Sequence, residues 1–225
     1  METESRWERL LPLAGAAFAV LMVLAAATFP LTPGGDLSPG KKPAWLAAHH
    51  GAVVAQGYVR ALGALAFIVL AVGIGALIRR HGASRAAATA ALVGGVSSGL
   101  LLLAAQAAGI GSALAAGDGA GDAAVRSLGY GEDALLTLSS LPAVVLFAAA
   151  GSTFLRTRLV PRWLAWITLA GVPFALVDAG SYAGGPLEGI GFAGLVYFLV
   201  WSLAVGVSLV AARPANRGVA ADVAS

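Results

Sequence analysis

Six times along this chain about twenty or more residues pass almost without charge, approximately at 10–29, 52–78, 86–109, 134–155, 163–180 and 190–211. A bilayer core of roughly 30 Å is crossed by about 20 apolar residues of helix, so each stretch is long enough to span one. Only Arg60 and Asp178 bring charge into them. The runs are continuous and lack the alternation of apolar and polar residues that a membrane β-strand shows. Lipid offers no water to unpaired backbone groups, so such runs are expected to be helices. The expected fold is all-α: one polytopic bundle of six transmembrane helices over residues 1–212, with a short tail at 213–225.

Composition agrees with this reading. The chain is 59% hydrophobic and 11% charged, whereas a soluble domain carries about a quarter charged residues. It has no cysteine, which excludes disulfides, thiolate metal sites and a cysteine nucleophile. A pI of 9.7 would suit a nucleic-acid partner. The basic residues, however, fall in short clusters between apolar runs, so no nucleic acid is expected and the clusters report topology.

Placing the N-terminus in the cytoplasm puts ten of the fourteen basic residues on the inner side: Arg6, Arg9, Arg79, Arg80, Arg85, Arg156, Arg158, Arg162, Arg213 and Arg217. Lys41, Lys42, Arg60 and Arg126 are left outside, with seven of the eleven acidic residues. Both termini are therefore expected in the cytoplasm of a bacterial inner membrane. The first stretch is long for a signal sequence and is expected to stay as an anchor. The inner turns at 79–85 and 156–162 are short, which makes their flanking helices antiparallel neighbours. The outer connections, 30–51 and 110–133, are rich in glycine, proline and aspartate and are expected to be turns, with a helix resuming near Ala44.

Charged and strongly polar groups within a bilayer are costly and mark functional candidates. His49, Gln56 and Arg60 are spaced by seven and four residues, one face of a helix. Glu132 and Asp133 open the fourth stretch, and Thr137 and Ser140 follow Asp133 at helical spacing. Asp178 and Ser140 both lie roughly 22 Å from the inner ends of their helices, and Gln106, Tyr182 and Glu188 belong to the same layer. An outward-opening pocket would gather them, with Arg60 and Asp178 as an ion pair. Each also has a plainer reading. Arg60 can snorkel to the interface, Asp178 can end a short helix, and Glu132 with Asp133 can be a solvated helix start.

Other motifs carry less. Gly189, Gly191 and Gly194 form a GxGxxG pattern, but no strand precedes it, so helix contact is the better account. A metal held by His49 or His50 with Glu132, Asp133 or Glu188 competes with histidines that merely sit at the interface. His81 lies at the opposite face, against a bis-histidine haem, and the only lysines are loop residues, against a retinal Schiff base. Ser97, Ser98, Ser139 and Ser140 lack an obvious base. Trp45, Trp163, Trp166 and Tyr182 stand where aromatic belts stand, and Pro142 and Pro173 are expected to kink their helices.

The run Leu155-Arg156-Thr157-Arg158-Leu159-Val160-Pro161-Arg162-Trp163-Leu164-Ala165-Trp166 resembles bacterial multi-pass proteins grouped as domain of unknown function 4386. Pro43-Ala44-Trp45-Leu46-Ala47-Ala48-His49 is similar to the same family, and the likeness covers roughly residues 10–212. It implies an α-helical membrane protein and carries over no activity, cofactor or site residue.

Three functions fit these observations. A binding or transport module would hold a lipid or another amphipathic small molecule through His49, Gln56, Arg60, Gln106, Ser140, Asp178 and Tyr182. A membrane-embedded enzyme would use Asp178, Asp133 or Glu132 in acid-base chemistry on a lipophilic substrate. A structural, regulatory or assembly subunit would use Gly63, Gly73, Gly171, Gly191 and Gly194 to pack against a membrane protein partner or a second copy of itself.

Overall fold

The structure, a computed structural model, describes residues 13–28, 41–81, 84–180 and 188–211. Every regular element among them is helical: α1 (Leu13–Thr28), α2 (Lys41–Arg80), α3 (Arg85–Gly117), α4 (Asp122–Leu138), α5 (Ser140–Thr157), α6 (Arg162–Gly180) and α7 (Glu188–Ala211). Helices α2, α3 and α6 and the α4–α5 pair are long and apolar enough to cross a membrane, while α1 and residues 193–209 of α7 are shorter apolar helices.

Local chemistry sets the boundaries. Helix α2 starts at Lys41 and not at Ala44, because Pro43 falls in the first turn, where its missing N–H has no helical partner to lose. The Ser84 side chain caps α3 by accepting the Ala87 N–H at 3.1 Å. At the other end Gly119 takes a left-handed conformation (φ 75°), and Ala120 N–H returns to the Ala115 carbonyl at 2.9 Å. A Schellman turn of this kind needs a residue free of Cβ strain. Helices α4 and α5 form a single rod broken at Ser139. Pro142 explains the break, since it has no N–H for the Leu138 carbonyl. Arg158 closes α5 in a left-handed conformation (φ 53°), and buried Val160 anchors the turn before α6.

One expectation fails here. Residues 110–133, read as an outer loop, are mostly helix, and the reversal needs only residues 118–121. Three of the glycines that suggested turns lie instead where helices touch: Gly111 faces Leu128, Gly117 faces His50 and Gly129 faces Lys42. Close packing of small residues overrides their weak helix propensity.

Six helices close a ring in the spatial order α1, α2, α3, α5, α6, α7 and back to α1. Its centre is filled by aromatic rings. Phe67 and Phe198 stand 4.8 Å apart by centroid, Phe147 meets Trp201 edge-on at 4.8 Å, and Phe18 lies 5.4 Å from Phe67. Trp201 Nε1–H donates to Thr168 Oγ1 at 2.9 Å, and the Tyr197 hydroxyl donates to the Ile167 carbonyl, tying α7 to α6. Helix α4 stays outside the ring, against the far half of α3, where Leu46, Ala116 and Val125 form a small second core.

Candidate functional site

The polar residues singled out in the sequence form two groups on different helices. The first lies where α5, α6 and α7 meet. Asp178, near the end of α6, accepts a hydrogen bond from the Ser140 hydroxyl through Oδ2. Ser140 is held there because it opens α5 directly after the break at Ser139. On the third side stands Gly194 of α7: a Cβ added to it would lie 3.2 Å from Asp178 Oδ1. The glycine therefore leaves the carboxylate room beside α7. A charge-assisted hydrogen bond of this type is about twice as strong as a neutral one.

The second group spans α2, α3 and α4. The Glu132 carboxylate lies over the bare backbone of Gly109, where an added Cβ would fall 2.6 Å from its Cδ. That saddle lets a side chain of α4 reach across α3 toward α2. The charges acting on Glu132 are those of Arg60 and Lys42, both attractive, and of its neighbour Asp133, repulsive. Lys42 Nζ reaches α4 as well, 3.6 Å from the point a Cβ on Gly129 would occupy. The expected Arg60–Asp178 ion pair does not form: the carboxylate whose charge acts on Arg60 is Glu132. The reason is the order of the ring, in which α3 and α5 stand between α2 and α6. Among the described residues no hydrogen bond or ion pair joins the two groups. Arg60→Gln and Glu132→Gln are expected to couple by about 1 kcal/mol in a double-mutant cycle of unfolding in detergent. Arg60→Gln and Asp178→Asn should instead add to within about 0.5 kcal/mol.

The remaining candidates serve their own helices or neighbours. Gln56 is buried and donates to the Ala25 carbonyl at 3.0 Å, joining α2 to α1. Buried Gln106 turns back to the Leu102 carbonyl at 3.4 Å. His49 is exposed, with Nδ1 2.9 Å from the Trp45 carbonyl and its ring stacked on the Trp45 indole at 4.5 Å. His50 Nδ1 lies 2.9 Å from the Ala47 carbonyl. Asp133 is exposed, and its backbone carbonyl accepts the Thr137 hydroxyl at 2.9 Å. Tyr182 and the Glu188 side chain lie outside the described residues. No three histidine, aspartate or glutamate side chains converge among the described residues.

No protein-family model matches the chain, and neither curated proteins nor solved structures give a match. The site is therefore read from its own geometry. Lys42, Gly109 and Gly194 were not foreseen as parts of it. A signal for Gly109 existed: a hairpin folded about Gly119 brings Ser112 to Val125, whose carbonyl accepts the Ser112 hydroxyl at 2.9 Å. The same fold pairs Gly109 with Glu132. Nothing local in the sequence pairs Gly194 with Asp178, because they sit on separate helices whose contact only packing determines.

Proposed function

We propose that this chain is a six-span protein of a bacterial inner membrane, with both termini in the cytoplasm, that binds or transports a lipid or another amphipathic small molecule. Depth along the helices supports the topology. From Arg79 to Tyr58 on α2 is about 32 Å at 1.5 Å per residue, close to the thickness of a hydrocarbon core. Tyr58 and Tyr130 are exposed at one level, Trp163 and Trp166 near the other, as two aromatic belts would be. Residues 41–57 of α2 then project about 25 Å beyond the outer boundary. Arg60 and Glu132 fall at that boundary. Asp178 lies about 24 Å from Arg162, inside the outer leaflet.

The observation that carries the ligand reading is the Ser140–Asp178 contact at a three-helix junction beside Gly194. An ionisable group within a span is costly and is most often kept for a ligand or ion, and this one is fixed by the Ser140 hydroxyl at a junction of three helices, where a carboxylate can take part in holding a polar head group. The resemblance to domain of unknown function 4386 fits the size and topology and adds no activity. An assembly role is less well supported, because glycines assigned to it are used inside the chain: Gly63 packs on Met22, Gly171 on Phe147 and Gly194 on Asp178.

The test is native mass spectrometry of gently solubilised protein, with extraction of any bound molecule. Wild type is expected to carry a stoichiometric small molecule, and Asp178→Asn to weaken its retention by about 10–100-fold, the worth of a hydrogen bond to a charged group. Ser140→Ala, which leaves the carboxylate, should weaken it less. A folded Asp178→Asn variant that keeps the molecule, or a wild type that carries only bulk lipid, would overturn the proposal.

A further inference from the structure

At the end of the bundle opposite Asp178 the two short turns carry six arginines, Arg79, Arg80, Arg85, Arg156, Arg158 and Arg162, and no acidic residue. The packing of α3 on α5 brings these turns together. Gly94 lies against the backbone of Pro142 and Leu146. It is nine residues above Arg85, and Leu146 is eleven above Thr157, so the turns lie within about 5 Å of the same level.

The second turn is shaped as well as charged. The left-handed backbone at Arg158 swings the chain outward, buried Val160 pins its middle, and Pro161 opens α6. The result is a shallow hollow of about 540 Å3 lined by Arg158, Leu159, Val160, Pro161 and Arg162. Arg158 and Arg162 are exposed at its two ends, and neither has an ion-pair partner among the described residues. Directly after it, Trp163 and Trp166 project from one side of α6, 55% and 62% exposed.

We infer that this hollow is a headgroup site for an anionic phospholipid, with Arg158 and Arg162 on the phosphodiester and Trp163 and Trp166 beside the glycerol and upper acyl chains. Guanidinium groups match phosphate oxygens in pairs, basic pockets at the inner ends of membrane helices take anionic headgroups, and tryptophan favours the interfacial depth. The tryptophans decide the source of the phosphate: a free anion has no use for two indoles turned toward lipid. The site rests on the proposed topology, which puts these turns at the inner face, and is independent of any ligand at Asp178.

The full-length protein in an uncharged detergent, titrated with phosphatidylglycerol or phosphatidylcholine and followed by native mass spectrometry, tests this. Wild type should retain one phosphatidylglycerol in preference to phosphatidylcholine. Arg158→Gln with Arg162→Gln should reduce that preference by about 30-fold, while Arg126→Gln, at the other end and paired with Asp122 at 2.8 Å, should leave it unchanged. The wild-type comparison needs no variant to fold. Equal retention of the two lipids by wild type, an unaltered preference in the folded double variant, or displacement of phosphatidylglycerol by millimolar inorganic phosphate would each overturn the assignment.

Discussion

Trp201→Ala is expected to be among the most damaging single changes in the chain, lowering stability by about 3–5 kcal/mol. Trp201 is 1% exposed at the centre of the ring, edge-on to Phe147 and bonded through its N–H to Thr168. In a bilayer the loss is not one of hydrophobic transfer, since lipid is as apolar as the core. It is the loss of dispersion contacts around a cavity that rigid helices cannot close. Trp201→Phe keeps much of the ring contact and deletes the donor, so a decrease of about 1 kcal/mol is expected. Denaturant unfolding in detergent micelles measures both, and equal losses for the two variants would place the energy in the hydrogen bond instead.

The second large effect is expected at glycines, with opposite signs at different positions. An added methyl at Gly94 would fall 2.7 Å from both the Pro142 carbonyl oxygen and the Leu146 nitrogen, and at Gly15 it would fall 2.4 Å from the Ser202 oxygen. Backbone atoms cannot rotate aside, so α3 must separate from α5, or α1 from α7. Gly94→Ala and Gly15→Ala are each expected to destabilise by about 2–3 kcal/mol. At Gly51 and Gly131 nothing lies within 4 Å of an added Cβ. There alanine should stabilise by about 0.5–1 kcal/mol, through lower chain entropy and better helix propensity. The same unfolding assay, run on all four, reads the contrast. Four changes of one sign would mean that helix propensity, and not interhelical distance, governs these positions.

Much of the architecture was legible because it depends on local sums. An uncharged run of twenty residues specifies a helix whatever surrounds it, and that was enough for the all-helical bundle and for the short turns at 79–85 and 156–162. Breakers were less reliable. Pro142 did interrupt a helix at Ser139, since a missing N–H is a local fact. Gly117 and Gly129 in the stretch 110–133 did not break theirs, since they are placed by what packs on them. The site divides in the same way. That Arg60, Glu132, Ser140 and Asp178 were unusual followed from their cost in an apolar run, and that Ser140 and Asp178 share a depth followed from counting along two helices.

The sequence by itself determined that the long apolar runs are helical, which end carries the arginines and which polar side chains need explaining, because helix formation in an apolar run and the cost of a charge there are set residue by residue. Only the tertiary structure decided that Arg60 belongs with Glu132 and Asp178 with Ser140. Depth along a helix is a linear count, whereas the order of helices around the ring is set by the glycines and aromatic rings at which they touch.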